Sequence, residues 1–252
     1  CVRCVTDKNP LVRHTAVETF ASAIRILSQS ELNNAAETLH QDLIMAQAQV
    51  SAISATQGRA KIDRSAIFAV TGHALMLHAI LQRLSSHSTP SERTLTLLVL
   101  IATVARSLIN QTQGSPRDSS STWSDSSASC SWGGWLLLGG LAAFEYRYIE
   151  KFMGDWVKLW AAVLQCRSST SPKAQKEPKM TPQQAESTAQ RLVPAVAALF
   201  CFCSRHRIRL ASKAASAQGV CNALLKLMLT VRSKVCTVAL NGGPNATSPQ
   251  AY

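Results

Sequence analysis

Cysteine and histidine carry most of the reactive chemistry in this 252-residue chain, which has eight of the former and six of the latter. Their spacing decides what they could do. Cys1 and Cys4 form a CxxC, half of a zinc-ribbon ligand set, but no second pair follows at the spacing such a site needs. Cys201 and Cys203 lie one residue apart in an apolar run, with His206 three residues further on. Both groups read as small buried apolar side chains in a reducing compartment. His73 and His78 are five positions apart, which on a helix turns them about 140° from each other and away from a shared metal ion. Gly133-Gly134 and Gly139-Gly140 fall inside a helical apolar run rather than a phosphate-cradling loop, and are expected to let helices approach closely. The carboxylates of Glu31–Asp42 and Glu145–Asp155 are spread round helix surfaces. No Ser/His/Asp or Cys/His set assembles, so catalytic residues, cofactors, metals and a small-molecule substrate are all expected to be none. The sequon Asn245-Ala246-Thr247 would matter only in a secreted protein.

Net charge is the strongest remaining property, at +12. Arg205, His206, Arg207, Arg209 and Lys213 concentrate it, with Lys173, Lys176 and Lys179 upstream and Arg232 and Lys234 downstream. A solvated face is the plain reading. The functional one is a patch formed by Arg205, Arg207, Arg209 and Lys213 for anionic headgroups, acidic partner motifs or nucleic acid. Aromatic residues do not interleave with these basic ones, which disfavours a single-strand platform and makes nucleic acid the lesser expectation.

The elements that must hold these residues are helices. Apolar residues make up 46% of the chain but aromatics only 6% and charged residues 16%, a balance suited to packed aliphatic helices rather than disorder. Stripes of helical period run through Val12, Ala16, Phe20, Ala23 and Leu27, through Leu32 to Ile53 after a cap at Ser30, and through Ile67 to Leu84 after a cap at Asp63. Thr89-Pro90-Ser91-Glu92 reads as a capping box with Thr89 as the cap, before the apolar body Leu95–Ile109. An apolar helix at Trp132–Ala143 and another through Ile149, Trp156 and Val163 follow. Thr181-Pro182-Gln183-Gln184 caps a helix running through Phe202, and a last stripe spans Ala214 to Val238. Leu98 and Trp156 are expected in the core. No stretch reaches the roughly 18 uninterrupted apolar residues of a membrane helix; the nearest are Leu95–Ala105, Trp135–Phe144 and Leu192–Cys203.

The expected fold is therefore all-α: a HEAT/armadillo-like helical-repeat solenoid of antiparallel helix pairs, with a period of about 40–47 residues, preferred over a compact bundle. Residues 1–112 read as HEAT-like repeats, 113–131 as a Ser-rich disordered insertion and 132–166 as a HEAT-like helix pair. Residues 167–181 read as a basic linker, 182–241 as a further helical repeat and 242–252 as a disordered tail. The chain opens at Cys1 with residues that already resemble the interior of a structure, so a piece of a longer protein is expected.

Asp7-Lys8-Asn9-Pro10-Leu11-Val12-Arg13 carries the reason for preferring the solenoid. It resembles the HEAT signature, with Asp in the turn and Val and Arg five and six residues later. Asp7 can accept from turn amides, Pro10 belongs in a first helical turn, Val12 should point into the core, and Arg13 should reach an acidic turn residue in its own or the next repeat. Further on, Gly133-Gly134-Trp135-Leu136-Leu137-Leu138-Gly139-Gly140-Leu141, then Ile149 and Trp156-Val157-Lys158-Leu159-Trp160, resemble a segment of the HEAT-repeat-containing protein 5 family, very large clathrin-adaptor accessory proteins. Ala36-Glu37-Thr38-Leu39 and Gly72-His73-Ala74-Leu75 are similar in order and spacing, so the likeness covers about residues 1–165. This resemblance implies a non-catalytic scaffold in vesicle traffic between endosomes and trans-Golgi, cytoplasmic and peripheral to those membranes, with clathrin-adaptor or accessory subunits as partners. The family has no catalytic residues to carry over. The alternative is a basic HEAT or armadillo protein binding nucleic acid or acidic nuclear cargo.

Overall fold

A computed structural model describes residues 2–55, 64–111, 121–165 and 192–206. Among the described residues the regular structure is helical and no strand occurs, so the chain is all-α in these parts. In chain order the helices are α1 (Val2–Val5), α2 (Pro10–Ala23), α3 (Gln29–Ala55), α4 (Arg64–Leu84), α5 (Glu92–Asn110), α6 (Ser121–Leu141), α7 (Tyr146–Ile149), α8 (Met153–Gln165) and α9 (Leu192–His206).

The turn before α2 is built as its residue types dictate. The Asp7 carboxylate accepts from the Asn9 amide at 2.7 Å, and the Asn9 side chain accepts from Leu11 N at 2.9 Å. Pro10 opens the helix, where a missing N–H costs nothing. Arg13 does reach back, but to backbone: its guanidinium donates to the carbonyls of Asp7 at 2.6 Å and Lys8 at 3.1 Å, and lies 4.7 Å over the Phe68 ring. Val12 does not enter the core. It is 38% exposed, and Ala16, one turn on, is the buried residue instead.

Two helix starts are displaced from their expected positions. At α3 the cap is Ser28 rather than Ser30, because Glu31 stands three residues after Ser28. Its carboxylate accepts from Ser28 N at 2.7 Å and Ser28 Oγ at 2.6 Å, and Glu31 N donates back to Ser28 Oγ at 3.3 Å. These hydrogen bonds hold the Glu31 carboxyl below its ordinary range. At α5 the cap is Ser91 rather than Thr89: Ser91 Oγ accepts from Thr94 N at 3.2 Å, and Asn33 of α3 donates to the same Oγ at 3.3 Å. The third difference is larger. Helix α6 begins at Ser121, so the second half of the segment expected to be a disordered insertion is helical. Serine disfavours helix by only a few tenths of a kcal/mol per residue, and the packed Trp135–Leu141 half sustains the helix back through it. Asp63, the expected cap of α4, the linker 167–181, the cap at Thr181–Gln184 and the stripe from Ala214 to Val238 lie outside the described residues.

The helices form two layers, α3 beside α5 and α4 beside α6, with α3 packed on α4 and α5 packed on α6. Helix α2 adds to the α4 layer. Arg83 near the end of α4 donates to the Arg25 carbonyl just before α3 at 3.1 Å, which sets α3 and α4 antiparallel. Within each layer the helices run parallel. Gln29 meets Thr89, Gln47 meets Ser107 and Gln111 meets Ser51, each pair 60 residues apart. In the other layer His78 Nδ1 donates to the Leu136 carbonyl at 2.8 Å across 58 residues. This offset exceeds the 40–47 residues expected, because α3 alone runs to 27 residues and α4 to 21.

Glycines set the spacing of the α4–α6–α5 contact. A Cβ on Gly134 would lie 2.7 Å from both the Ala105 carbonyl oxygen and Ile109 Cγ1, and one on Gly140 2.9 Å from Leu81 Cδ1. Past α6 the packing is aromatic. Trp135 stacks on Trp160 with centroids 6.1 Å apart, Trp160 meets Trp156 edge-on at 6.4 Å and Phe202 at 5.9 Å, and Trp160 Nε1 donates to the Ala195 carbonyl at 3.1 Å. Leu98 and Trp156 are buried as expected. Among the described helices, Ser65–Leu84 alone is long and apolar enough to cross a membrane by length and composition, unlike the three segments nearest to that in the sequence. Here 56% of it is buried inside the packed structure.

Gly134→Ala is therefore expected to destabilise the fold by about 1–3 kcal/mol through overpacking. Gly154→Ala, where a Cβ meets nothing within 4 Å, is expected to gain roughly 0.5 kcal/mol. Denaturant unfolding of the two variants checks the pair; equal effects would show that α6 is not held at close approach.

Candidate binding seam

The seam between α3 and α5 is polar at its ends and carries a groove between them. At one end Gln29, Asn33, Ser91 and Thr94 share hydrogen bonds, with Thr94 Oγ1 donating to Asn33 Oδ1 at 3.1 Å inside the structure. At the other end Gln47 Nε2 donates to Ser107 Oγ at 2.8 Å and Gln111 Nε2 to Ser51 Oγ at 3.0 Å. One turn past Asn33, the Arg93 guanidinium grips the Glu37 carboxylate in a two-pronged ion pair, both bonds at 2.5 Å. The pair pulls Glu37 below the ordinary carboxylate range and raises Arg93. Its two charges cancel at the rim.

The pair lines a groove of about 480 Å³ together with Thr38, Gln41, Thr96, Leu97 and Leu100. His40 lines it too. Only 4% of that residue is exposed, and its Nε2 is buried without a hydrogen-bond partner. An unsatisfied buried polar atom costs about 1–3 kcal/mol. Burial pushes the His40 pKa down, against the smaller opposing effect of a hydrogen bond with the Leu100 backbone. Ile44 and Met45 of α3 and Val99 and Leu100 of α5 are exposed apolar residues. A second, apolar groove of about 420 Å³ lies between α1 and α2, lined by Cys4, Leu11, Val12 and Thr19.

The residues singled out in the sequence fall elsewhere. Arg205 is exposed near the end of α9, while Arg207, Arg209 and Lys213 lie outside the described residues. His206 does not share that surface: it is buried between Phe202 and Tyr146, and its Nε2 donates to the Ala142 carbonyl at 2.8 Å. Asp7, Pro10 and Arg13 are brought together in one turn, as structural residues. Cys4 and Cys201 are exposed and Cys203 is half-buried, contrary to the expectation of buried thiols. Position 202 occupies the inward face of α9, and one residue to either side a helix has turned about 100° away. Cys130 is buried, and burial pushes its thiol up to about 11, far from a thiolate nucleophile. His73 feels Asp42 of α3, whereas His78 binds α6, so the two histidines diverge. Among the described residues no group of three or more His, Cys, Asp or Glu could hold a metal ion.

The sequence reading missed His40. Its signal was faint: a histidine beside the Leu39–Leu43 stripe, three residues after Glu37. Comparison with protein-family models, with curated proteins and with solved structures yields no match to this chain.

Burial lowers the pKa of His40, His73 and His78 below the ordinary 6.5. The unfolded chain therefore takes up these protons first. Stability is full above pH 6.5 and is lost as pH falls from there toward the folded-state values. Melting temperature measured from neutral pH downward should fall below 6.5, and less steeply in His40→Phe; a flat profile would contradict the burial of these rings.

Proposed function

We propose that this chain is a non-catalytic interaction scaffold of the HEAT/armadillo-like kind, a solenoid of antiparallel helix pairs. The observation that carries the reading is the parallel, in-register stacking of α3 on α5 and of α4 on α6 at a chain offset near 60 residues. A closed bundle has no need of such an offset; an array built by repeating one helix pair produces it in both layers at once. Arrays of this kind bind along the surface that successive helices of one layer share, and here that surface is the α3–α5 seam.

Resemblance of the Gly133–Leu141 and Trp156–Trp160 blocks to the HEAT-repeat-containing protein 5 family supports a role in clathrin-adaptor-linked traffic between endosomes and trans-Golgi. On this reading the chain is cytoplasmic and peripheral to those membranes, and its partners are clathrin-adaptor or accessory subunits. Arg205 and its basic neighbours in sequence would add attraction to anionic headgroups.

Affinity capture with the full chain under mild salt is expected to recover clathrin-adaptor subunits, and to lose them when Leu98→Asp disrupts the core under α5. Recovery of none, together with a salt-dependent gel shift on duplex or single-stranded probes, would replace this reading with the nucleic-acid one.

A further inference from the structure

We infer that copies of this chain associate head to tail, with Val193 and Phe200 on the outer face of α9 in one copy seated in the apolar groove between α1 and α2 of the next. Such a contact rests on the stacked-array reading and carries the array from one chain to several. Observations at both ends of one helix layer converge on it.

Helices α2, α4, α6 and α9 form that layer and run parallel. Arg13 lies over the Phe68 ring, and Arg83 donates to the Arg25 carbonyl just past α2, which aligns α2 with α4. Gly133 meets Val70 and Ala74 while Gly140 meets Leu81, which aligns α4 with α6. His206 bonds to the Ala142 carbonyl, and Ala195 lies further back beside Trp160, which stacks on Trp135, so α9 follows α6 in the same direction. Among the described side chains, the two middle helices expose no large apolar residue. Each terminal helix exposes two: Leu11 at 73% and Val12 on α2, Val193 at 64% and Phe200 at 65% on α9. Repeat arrays need a polar outer face on their terminal repeats to stay soluble as single chains, and both ends of this layer place apolar side chains there.

The two ends match in shape and in height. Leu11, Thr15 and Thr19 succeed one another at four-residue spacing, on the face of α2 turned away from Arg13, Val17 and Phe20. With Cys4, Val12 and Ala16 they line the groove of about 420 Å³. Val193 and Phe200, seven residues apart, project from one side of α9 about 10 Å apart along its axis. That side is turned away from the buried Ala195, Leu199 and Phe202. Arg25 with Arg83, His78 with Leu136 and Ala142 with His206 carry a single register across the layer. Continued by one more step into a second copy, it sets Phe200 beside Thr19 and Phe20, and Val193 beside Val12 and Arg13, at the two ends of the groove. A second copy therefore supplies both halves of the contact in the register the layer already follows. The two halves are different surfaces, so each dimer keeps one free end of either kind and further copies add to it.

Sedimentation equilibrium of the full chain tests the contact, and the wild type is expected to grow in mass with concentration beyond a dimer. Leu11→Asp and Phe200→Asp each change an exposed residue and should keep the melting temperature and helical circular dichroism of the wild type. Each should weaken self-association about a hundredfold, by setting an unpaired carboxylate in an apolar contact. Thr15→Glu, also at an exposed position of the groove, repeats the Leu11 test should that variant fail to fold. Because each variant keeps the end that the other lacks, an equimolar mixture should form a one-to-one heterodimer and nothing larger. A wild-type chain that stays monomeric overturns the inference, whichever other segment or partner then covers the two faces. So does association that either variant leaves unchanged, or a mixture that forms no heterodimer, the result expected of a symmetric contact. Failure of adaptor capture bears on the trafficking role alone, and a folded but monomeric chain bears on this contact alone.

Discussion

How near α6 can lie to α4 and α5 determines most of what else the chain can do. With Gly134 against the Ala105 carbonyl and Gly140 close to Leu81, α6 approaches α5 at Gly134 nearer than a residue with a Cβ would allow. That approach buries α4 on both sides, lets His78 reach the Leu136 carbonyl, and brings Trp135 to Trp160. The aromatic cluster then ties α8 and α9 to the same body through Trp160 and Phe202. Widening the α4–α6 gap by a methyl group would disturb each of these contacts together, since packed interiors transmit strain rather than absorb it.

The opposite layer is built on another principle. Where α4 and α6 meet through glycine and aliphatic side chains, α3 and α5 meet through Asn33–Thr94, Gln47–Ser107 and Ser51–Gln111, with the Glu37–Arg93 pair between. Polar contacts of this kind contribute modestly to stability but fix register, because a slip along the seam leaves several groups unmet at once. A tight apolar layer and a registered polar layer together set both the spacing and the register of α3 to α6.

Much of this was legible in the sequence. Helical periodicity fixed the class, and Asp7, Asn9 and Pro10 form their turn because local hydrogen bonds and a fixed φ suffice to build it. The displaced features share one cause. Ser91 caps α5 in place of Thr89 with Asn33 of α3 bonded to the same hydroxyl. Val12 faces the α1–α2 groove while Ala16 takes its place in the core. The burial of His40 exists only once α5 lies alongside α3, a contact between segments about 60 residues apart that no local pattern encodes. The Cys201–His206 run failed for a plainer reason: neighbouring residues on a helix cannot all face inward, so Phe202 and His206 are buried while Cys201 and Arg205 are not.

The central claim is that the α3–α5 layer is a parallel, registered stack, and thiol cross-linking across the seam tests it most directly. A short bifunctional reagent applied to a chain carrying Gln47→Cys and Ser107→Cys should join those two positions, with the linked pair identified by mass spectrometry. The matching chain with Gln47→Cys and Arg93→Cys should not link, since Arg93 belongs opposite Glu37 at the other end of the groove. Linkage of 47 to 93 in preference to 107 would mean that α3 and α5 run antiparallel, and would contradict the stacked array and the seam built on it.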